Sequence, residues 1–225
     1  NPMSGLFSRW KKKKMPPVCS AVVVAAGSAR RMEGVDKVLA PLGDVPVLVR
    51  TLAALQDSPC VREIVVVTRE DLLVEVGRLC REYALDKVTK VVNGGKERIH
   101  SVQAGLREVD PDAALIAIHD GARPLVSQEV IRAAVEAAAA SGAAAPAVEV
   151  VDTIKRWEDG RSAGSVDRAA LRAVQTPQVF EAGLIRAATQ KALDDGELLT
   201  DDCGAVERLG MPVTLTPGSR ENLKI

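Results

Sequence analysis

Aromatic side chains are nearly missing from this chain. They make up 2% of it, and the few present are Phe7, Trp10, Tyr83, Trp157 and Phe180. Proteins that hold single-stranded nucleic acid stack bases on several such rings, so that partner class is set aside. An excess of charge is missing too, with 30 Lys plus Arg against 30 Asp plus Glu. Without a global basic field, any phosphate must be held by locally placed groups. Cys19, Cys60, Cys80 and Cys203 lie far apart in sequence, with no C-x-x-C pair and no histidine nearby. That argues against both a zinc site and a disulfide framework. Thiols scattered in this way predict a reducing, cytoplasmic setting. No apolar run is long enough to span a bilayer, and no signal-type apolar stretch follows the early lysines. The expected partners are small molecules, with neither nucleic acid nor membrane among them.

What is present is an aliphatic core. Apolar residues make up 47% of 225 positions, enough for one large α/β domain. Residues 1–17 read as a solvated, disordered leader, with Met3 as a natural first residue, Asn1 and Pro2 as additions ahead of it, and Pro16-Pro17 as its end. The domain is expected over 18–225. Strand-type runs at 20–26, 64–68, 88–92 and 115–118 alternate with helix-type periods at 47–55, 71–83, 97–109 and 127–140. Asp71 and Ser127 are placed as N-caps and Gly142 as a helix end. This alternation predicts a mostly parallel, Rossmann-like sheet with helices on both faces. The rhythm breaks after Pro146: a β-rich stretch at 148–157, a turn at Glu158-Asp159-Gly160 and polar residues to Val166 predict a projecting β-arm over about 148–168. Helical patterns return at 182–193 and 201–209, with a last strand at 213–216.

Ligands of a parallel sheet bind beyond the carboxyl ends of its strands, and this chain concentrates its unusual residues there. The first strand runs into Ala25-Ala26-Gly27-Ser28-Ala29-Arg30-Arg31-Met32, with Lys37 shortly after. Small residues let backbone N–H groups approach phosphates, and the cations offset their charge. The loop is neither a Walker loop nor a dinucleotide fingerprint, and taken alone it reads equally well as a tight turn. The third strand ends at Asn93-Gly94-Gly95, with Ser101 one turn into the next helix. The fourth ends at His119-Asp120-Gly121-Ala122-Arg123-Pro124. Asp120 is placed to hold a hydrated Mg²⁺ or a substrate hydroxyl, and His119 reads as a packed structural histidine.

In order, A-A-G-x-x-x-R-M with a downstream Lys, G-G-x-x-R-x-x-S, H-D-G-A-R-P, V-D-T-I-K, V-D-R, Q-T-P-Q-x-F, T-D-D and N-L-K-I span Ala21 to Ile225. This ensemble resembles the methylerythritol phosphate cytidylyltransferases. The nearest alternative, a ribitol 5-phosphate cytidylyltransferase, fits the wording of H-D-G-A-R-P and of V-D-R-A-A-L-R less well. A catalytically silent nucleotide-binding module would have no need for cations converging on an α-phosphate.

The resemblance implies transfer of CMP from CTP to a small polyol phosphate, with Mg²⁺ carried mainly on the triphosphate. It implies that Arg31 and Lys37 stabilise the transition state. CTP would be held by Ala25, Ala26, Gly27, Ala29, Arg31, Lys37, Gly94, Gly95 and Ser101. Ala29 stands where the family has glycine, which restricts positive φ there. Asp120, Arg123, Thr176 and Lys224 would position the acceptor, joined across a homodimer interface by Thr153 and Arg168 from the arm.

Overall fold

The computed structural model describes residues 16–27, 36–197 and 199–225. Residues 1–15, which make up most of the expected leader, and residues 28–35, among them Ala29 and Arg31 of the loop after the first strand, lie outside the described residues. In chain order the elements are β1 (Cys19–Ala25), β2 (Pro41–Leu42), β3 (Val45–Pro46), α1 (Val47–Gln56), β4 (Val61–Thr68), α2 (Leu73–Glu82), β5 (Val88–Asn93), α3 (Arg98–Glu108), β6 (Leu115–Asp120), α4 (Gln128–Ser141) and β7 (Ala143–Glu149). There follow β8 (Lys155–Glu158), β9 (Arg161–Ser165), β10 (Arg172–Val174), β11 (Gln178–Glu181), α5 (Ala182–Asp194), α6 (Asp202–Arg208) and β12 (Thr214–Pro217).

The main sheet runs β10-β7-β11-β6-β1-β4-β5, with β12 added to β7. β1 is parallel to β4 and β6, β4 to β5, and β12 to β7, while β10 and β11 run antiparallel to their neighbours. Its central strands read as continuous apolar runs because both faces are covered. Ala21, Val23 and Ala25 of β1 pack with Leu48 and Leu52 of α1 and Ile131 of α4. Val22 packs on the other face with Val102 and Leu106 of α3, Ile185 of α5 and Val206 of α6. Helices therefore lie on both faces of a mostly parallel sheet, as the alternation predicts.

Two helix boundaries follow their expected chemistry. Ser127 accepts a hydrogen bond from Val130 N at the start of α4, and Gly142 closes that helix at φ 89°. Asp71 does not cap α2. It lies in a 3₁₀ turn (Glu70–Leu72), and its carboxylate is taken by the Arg69 fork at 3.0 Å through both oxygens. A bidentate guanidinium outcompetes a backbone N–H for the same oxygens. The long β-rich stretch at 148–157 is also corrected. β7 already ends at Glu149, and the hairpin begins only at Lys155, where β8 and β9 pair with each other. Within the hairpin Trp157 is 75% exposed.

All four cysteines are buried free thiols. Distant in sequence, Cys19 and Cys60 are neighbours in space, the N–H of the first donating to the carbonyl of the second at 2.8 Å. Burial, then the neighbouring Cys60, pushes the Cys19 thiol up to about 12. No helix among the described residues is long and apolar enough to cross a membrane.

Candidate active site

The sheet register brings the strand ends together. Ala25 of β1 pairs with Thr68 of β4, Thr68 with Asn93 of β5, and Val24 of β1 with Asp120 of β6. β1 sends its partners off to either side, β4 one way and β6 the other, so a crevice opens where it ends. A cleft of about 390 Å³ occupies that place, and Ala25, Ala26, Gly27, Lys37, Gly95, Arg98, Ser101, Asp120 and Lys224 are among its lining residues. A larger groove of about 470 Å³ lies between the C-terminal half of α3 and α5. There Lys90 pairs with Glu108 and Arg62 with Asp110.

One wall of the cleft is backbone. Gly94 N–H extends the β5 ladder to Thr68 O at 2.7 Å, and Gly95 N–H donates to Ser101 Oγ at 3.1 Å. A Cβ on Gly94 would sit 2.6 Å from Ala26 Cβ and 2.7 Å from Ser101 Oγ. Only glycine lets the β5–α3 turn lie this close to the end of β1. The turn leads into the N-terminus of α3, whose first N–H groups and dipole favour negative charge.

The other wall is a ring of cations around one carboxylate. Asp120 Oδ2 lies 3.0 Å from Lys224 Nζ and 3.2 Å from Arg123 Nε, and Oδ1 lies 3.9 Å from Arg98 Nη2. Burial works to raise the Asp120 carboxyl, but Lys224 and then Arg98 outweigh it and hold the group below the usual carboxylate range. Arg98 also grips Asp202, at the start of α6, with both arms of its fork at 2.8 and 2.6 Å. Burial opposes the Arg98 charge, yet Asp202 holds that guanidinium above its ordinary value. Lys37 Nζ donates to Ile225 O at 2.9 Å, and Ile225 N–H to Ala122 O at 2.9 Å. Among the lining residues Lys37, Lys96, Arg98 and Lys224 stand against Glu97 and Asp120, so positive charge is in excess even with Arg98 paired to Asp202.

Asp120 alone does not make a protein cage for a divalent cation. Both its oxygens already face cations, and Mg²⁺ demands several oxygen ligands in octahedral array. Among the described residues no group of three or more carboxylate, histidine or cysteine side chains is arranged to hold a metal. The residues present fit anions, and a Mg²⁺ beside Asp120 would take most of its ligands from the phosphates of a bound nucleotide and from water.

Of the residues singled out from sequence, Ala25, Ala26, Gly27, Lys37, Gly95, Ser101, Asp120 and Lys224 share the cleft, with Gly94 packed behind its wall. Arg123 and Thr176 join it through Asp120, whose N–H donates to Thr176 Oγ1 at 3.1 Å. Thr153 and Arg168 do not line the cleft. Both are exposed near the arm, and Arg168 donates to Val151 O beside a separate hollow shared with Asp167 and Arg172. Sequence reasoning assigned no site role to Arg98, Asp202 or Asn222. Each stands inside a quoted motif (G-G-x-x-R, T-D-D and N-L-K-I), and that was the available signal.

The family model for IspD, 2-C-methyl-D-erythritol 4-phosphate cytidylyltransferase, matches residues 19–225. The chain belongs to this family. It is 45% identical over 213 residues to the 2-C-methyl-D-erythritol 4-phosphate cytidylyltransferase of Caldanaerobacter subterraneus subsp. tengcongensis, covering 92% of each chain. It is 42% identical over 207 residues to that of Halalkalibacterium halodurans, covering 92% of this chain and 90% of the relative. Among solved structures, 4-diphosphocytidyl-2C-methyl-D-erythritol synthase from Anaerococcus prevotii superposes with a TM-score of 0.81 at 28% identity, covering 93% of both chains. The Thermus thermophilus cytidylyltransferase gives 0.77 at 32% identity, covering 92% of both. The likeness to these solved structures thus extends over nearly the whole chain, strand ends included.

Proposed function

We propose that this chain transfers CMP from CTP to 2-C-methyl-D-erythritol 4-phosphate, forming 4-diphosphocytidyl-2-C-methyl-D-erythritol and releasing pyrophosphate. The observation that carries the reading is the cleft itself, with a glycine-lined backbone wall facing cations gathered around Asp120. Family membership supplies the identity of the two substrates.

The chemistry asks little of a base. A phosphomonoester has its second pKa near 6, so the acceptor is largely dianionic at neutral pH and is already a nucleophile. Its oxygen attacks the α-phosphorus of CTP, a new P–O bond forms, and the bond to pyrophosphate breaks. The requirements are alignment and neutralisation of charge on the α-phosphoryl oxygens. In this reading Lys37, with Arg31 from the preceding loop, supplies that charge. Lys37 exchanges its contact with the Ile225 carbonyl for the nucleotide. Gly94, Gly95 and Ser101 receive the base and ribose side, and Arg123 and Lys224 draw in the acceptor phosphate. Mg²⁺ enters on the triphosphate of CTP.

The working form is a homodimer in the cytoplasm, the arm of one protomer bringing Thr153 and Arg168 to the other's acceptor pocket. Their exposed position outside their own cleft supports this arrangement. The test is a pyrophosphate-release assay with CTP, UTP, ATP and GTP against methylerythritol phosphate and ribitol 5-phosphate. Release with CTP and methylerythritol phosphate is expected. Equal or faster release with ribitol 5-phosphate, or with another nucleotide, would overturn the assignment.

A further inference from the structure

We infer that Asn222 is a positioning residue for the acceptor side of the cleft, one that sets acceptor affinity without touching CTP; this rests on the functional reading above. Asn222 follows β12 in a stretch without regular secondary structure. It is 0% exposed, whereas Glu221 and Leu223 on either side are exposed. A buried amide is kept by its hydrogen bonds, and both donors of Asn222 are used. Nδ2 donates to Thr176 O at 2.9 Å and to Gln175 Oε1 at 3.3 Å. Gln175 in turn clamps the same segment, donating to Ser219 O at 2.7 Å and accepting from Ser219 N at 3.2 Å. The backbone carbonyl of Asn222 accepts Arg123 Nη1 at 2.6 Å.

These bonds meet at Asp120 from two directions. Thr176, held by the Asn222 amide, accepts the N–H of Asp120. Arg123, held by the Asn222 carbonyl, reaches the Asp120 carboxylate. Two residues further on, Lys224 completes the ring although half of its side chain is exposed. An exposed lysine on an untethered segment would spend little time at one place, because its rotamer freedom opposes a fixed geometry. The Asn222 tether fixes the backbone from which Lys224 reaches Asp120, so that only the lysine side chain remains to be ordered. The amide oxygen of Asn222 is buried and has no partner among the described residues. Packing alone would be served better by an apolar side chain, so the role of the amide lies in its donor side.

The test uses Asn222→Ala and Asn222→Asp in the full chain, at pH 8. Asn222→Asp keeps the shape but turns a carboxylate toward Thr176 O and Gln175 Oε1, both acceptors, and so loses the tether. For each variant, KM for methylerythritol phosphate and kcat are measured at saturating CTP, and CTP affinity by calorimetry without acceptor. The expected result is a rise of at least tenfold in acceptor KM, with kcat within about threefold, CTP affinity within about twofold and cooperative thermal unfolding retained. An unchanged acceptor KM in either folded variant overturns the inference. So does a parallel loss of CTP affinity, which would make Asn222 a general brace of the fold. If Asn222→Ala does not fold, Asn222→Asp decides on the same two numbers. A wild-type chain that turns over no methylerythritol phosphate refutes the functional reading and this inference with it. An active wild type with unaffected variants refutes only the role of Asn222.

Discussion

The hydroxyl of Thr176 lies 2.9 Å from Nδ1 of His119 at the end of β6. The partners fix the ring's proton. Nε2 faces the carbonyl of Arg123 at 3.3 Å and must donate, so Nδ1 accepts from Thr176, whose oxygen in turn accepts the N–H of Asp120. His119 is therefore a neutral structural histidine that sets the backbone of the H-D-G-A-R-P turn, as its sequence context predicts.

That arrangement has a pH signature. Burial holds the His119 imidazole down to about 4, against an ordinary value of 6.5. Between those values the unfolded chain binds a proton that the folded chain refuses, so stability should fall as pH drops from about 6.5 to about 4. On this residue alone the loss is roughly 3 kcal/mol. Urea midpoints across that range should fall steeply for the wild type and less steeply for His119→Gln, which should also be less stable at pH 8. Identical slopes would show that another group dominates.

If both charges act on the developing α-phosphoryl charge, as proposed, Lys37→Ala and Arg31→Ala should each lower kcat by about two to four orders of magnitude while weakening CTP binding far less. Steady-state kinetics beside calorimetry separate the two effects. A variant with near-normal kcat and only a raised KM for CTP would mark its residue as a ground-state binder.

Gly94→Ala should disturb the nucleotide side selectively. The added methyl meets Ala26 and Ser101 under 3.0 Å, so the β5–α3 turn must withdraw from the end of β1. CTP affinity should fall about tenfold, roughly 1.4 kcal/mol, with far-UV circular dichroism unchanged. Undiminished affinity would place the base elsewhere.

The parts legible in the sequence are those where local pattern and tertiary environment agree. β1, β4 and β6 are runs of aliphatic residues buried on both faces, and α4 carries its own cap and its own stop. β7 was not legible. Its sequence AAAPAVE has low strand propensity, and small side chains are there because α4 packs on one face and the α5–α6 layer on the other. Its proline sits between the stretch paired to β11 and the stretch paired to β10, where a missing N–H is tolerated. In the site, Lys37, Asp120 and Lys224 could be found because charged residues at strand ends and in family motifs are conspicuous. Gln175, Gln178 and Asn222 stand in such motifs too, but their roles could not be read there, since a polar residue in a loop looks solvated until the fold buries it. Gln178, for example, accepts Asp202 N and Cys203 N at 3.0 Å each and so fixes the start of α6, which in turn holds Arg98.

Arg168→Lys keeps the charge but loses the guanidinium fork. It should lower kcat/KM for the acceptor at least about tenfold, leaving CTP affinity unchanged. If the arm acts across a dimer, mixing Lys37→Ala and Arg168→Ala subunits should restore activity, since one site of each mixed dimer is then intact. Mixtures no more active than the separate variants would argue that Arg168 serves its own protomer or none.

The most direct measurement follows the phosphorus. CTP labelled at the α-phosphate in one sample and at the γ-phosphate in another is incubated with methylerythritol phosphate and Mg²⁺. The account predicts that the α-label appears in a cytidine diphosphate diester of the acceptor, while the γ-label leaves as pyrophosphate in equal amount. An α-label that stays in CTP, or is released as free CMP with no acceptor conjugate, would contradict it.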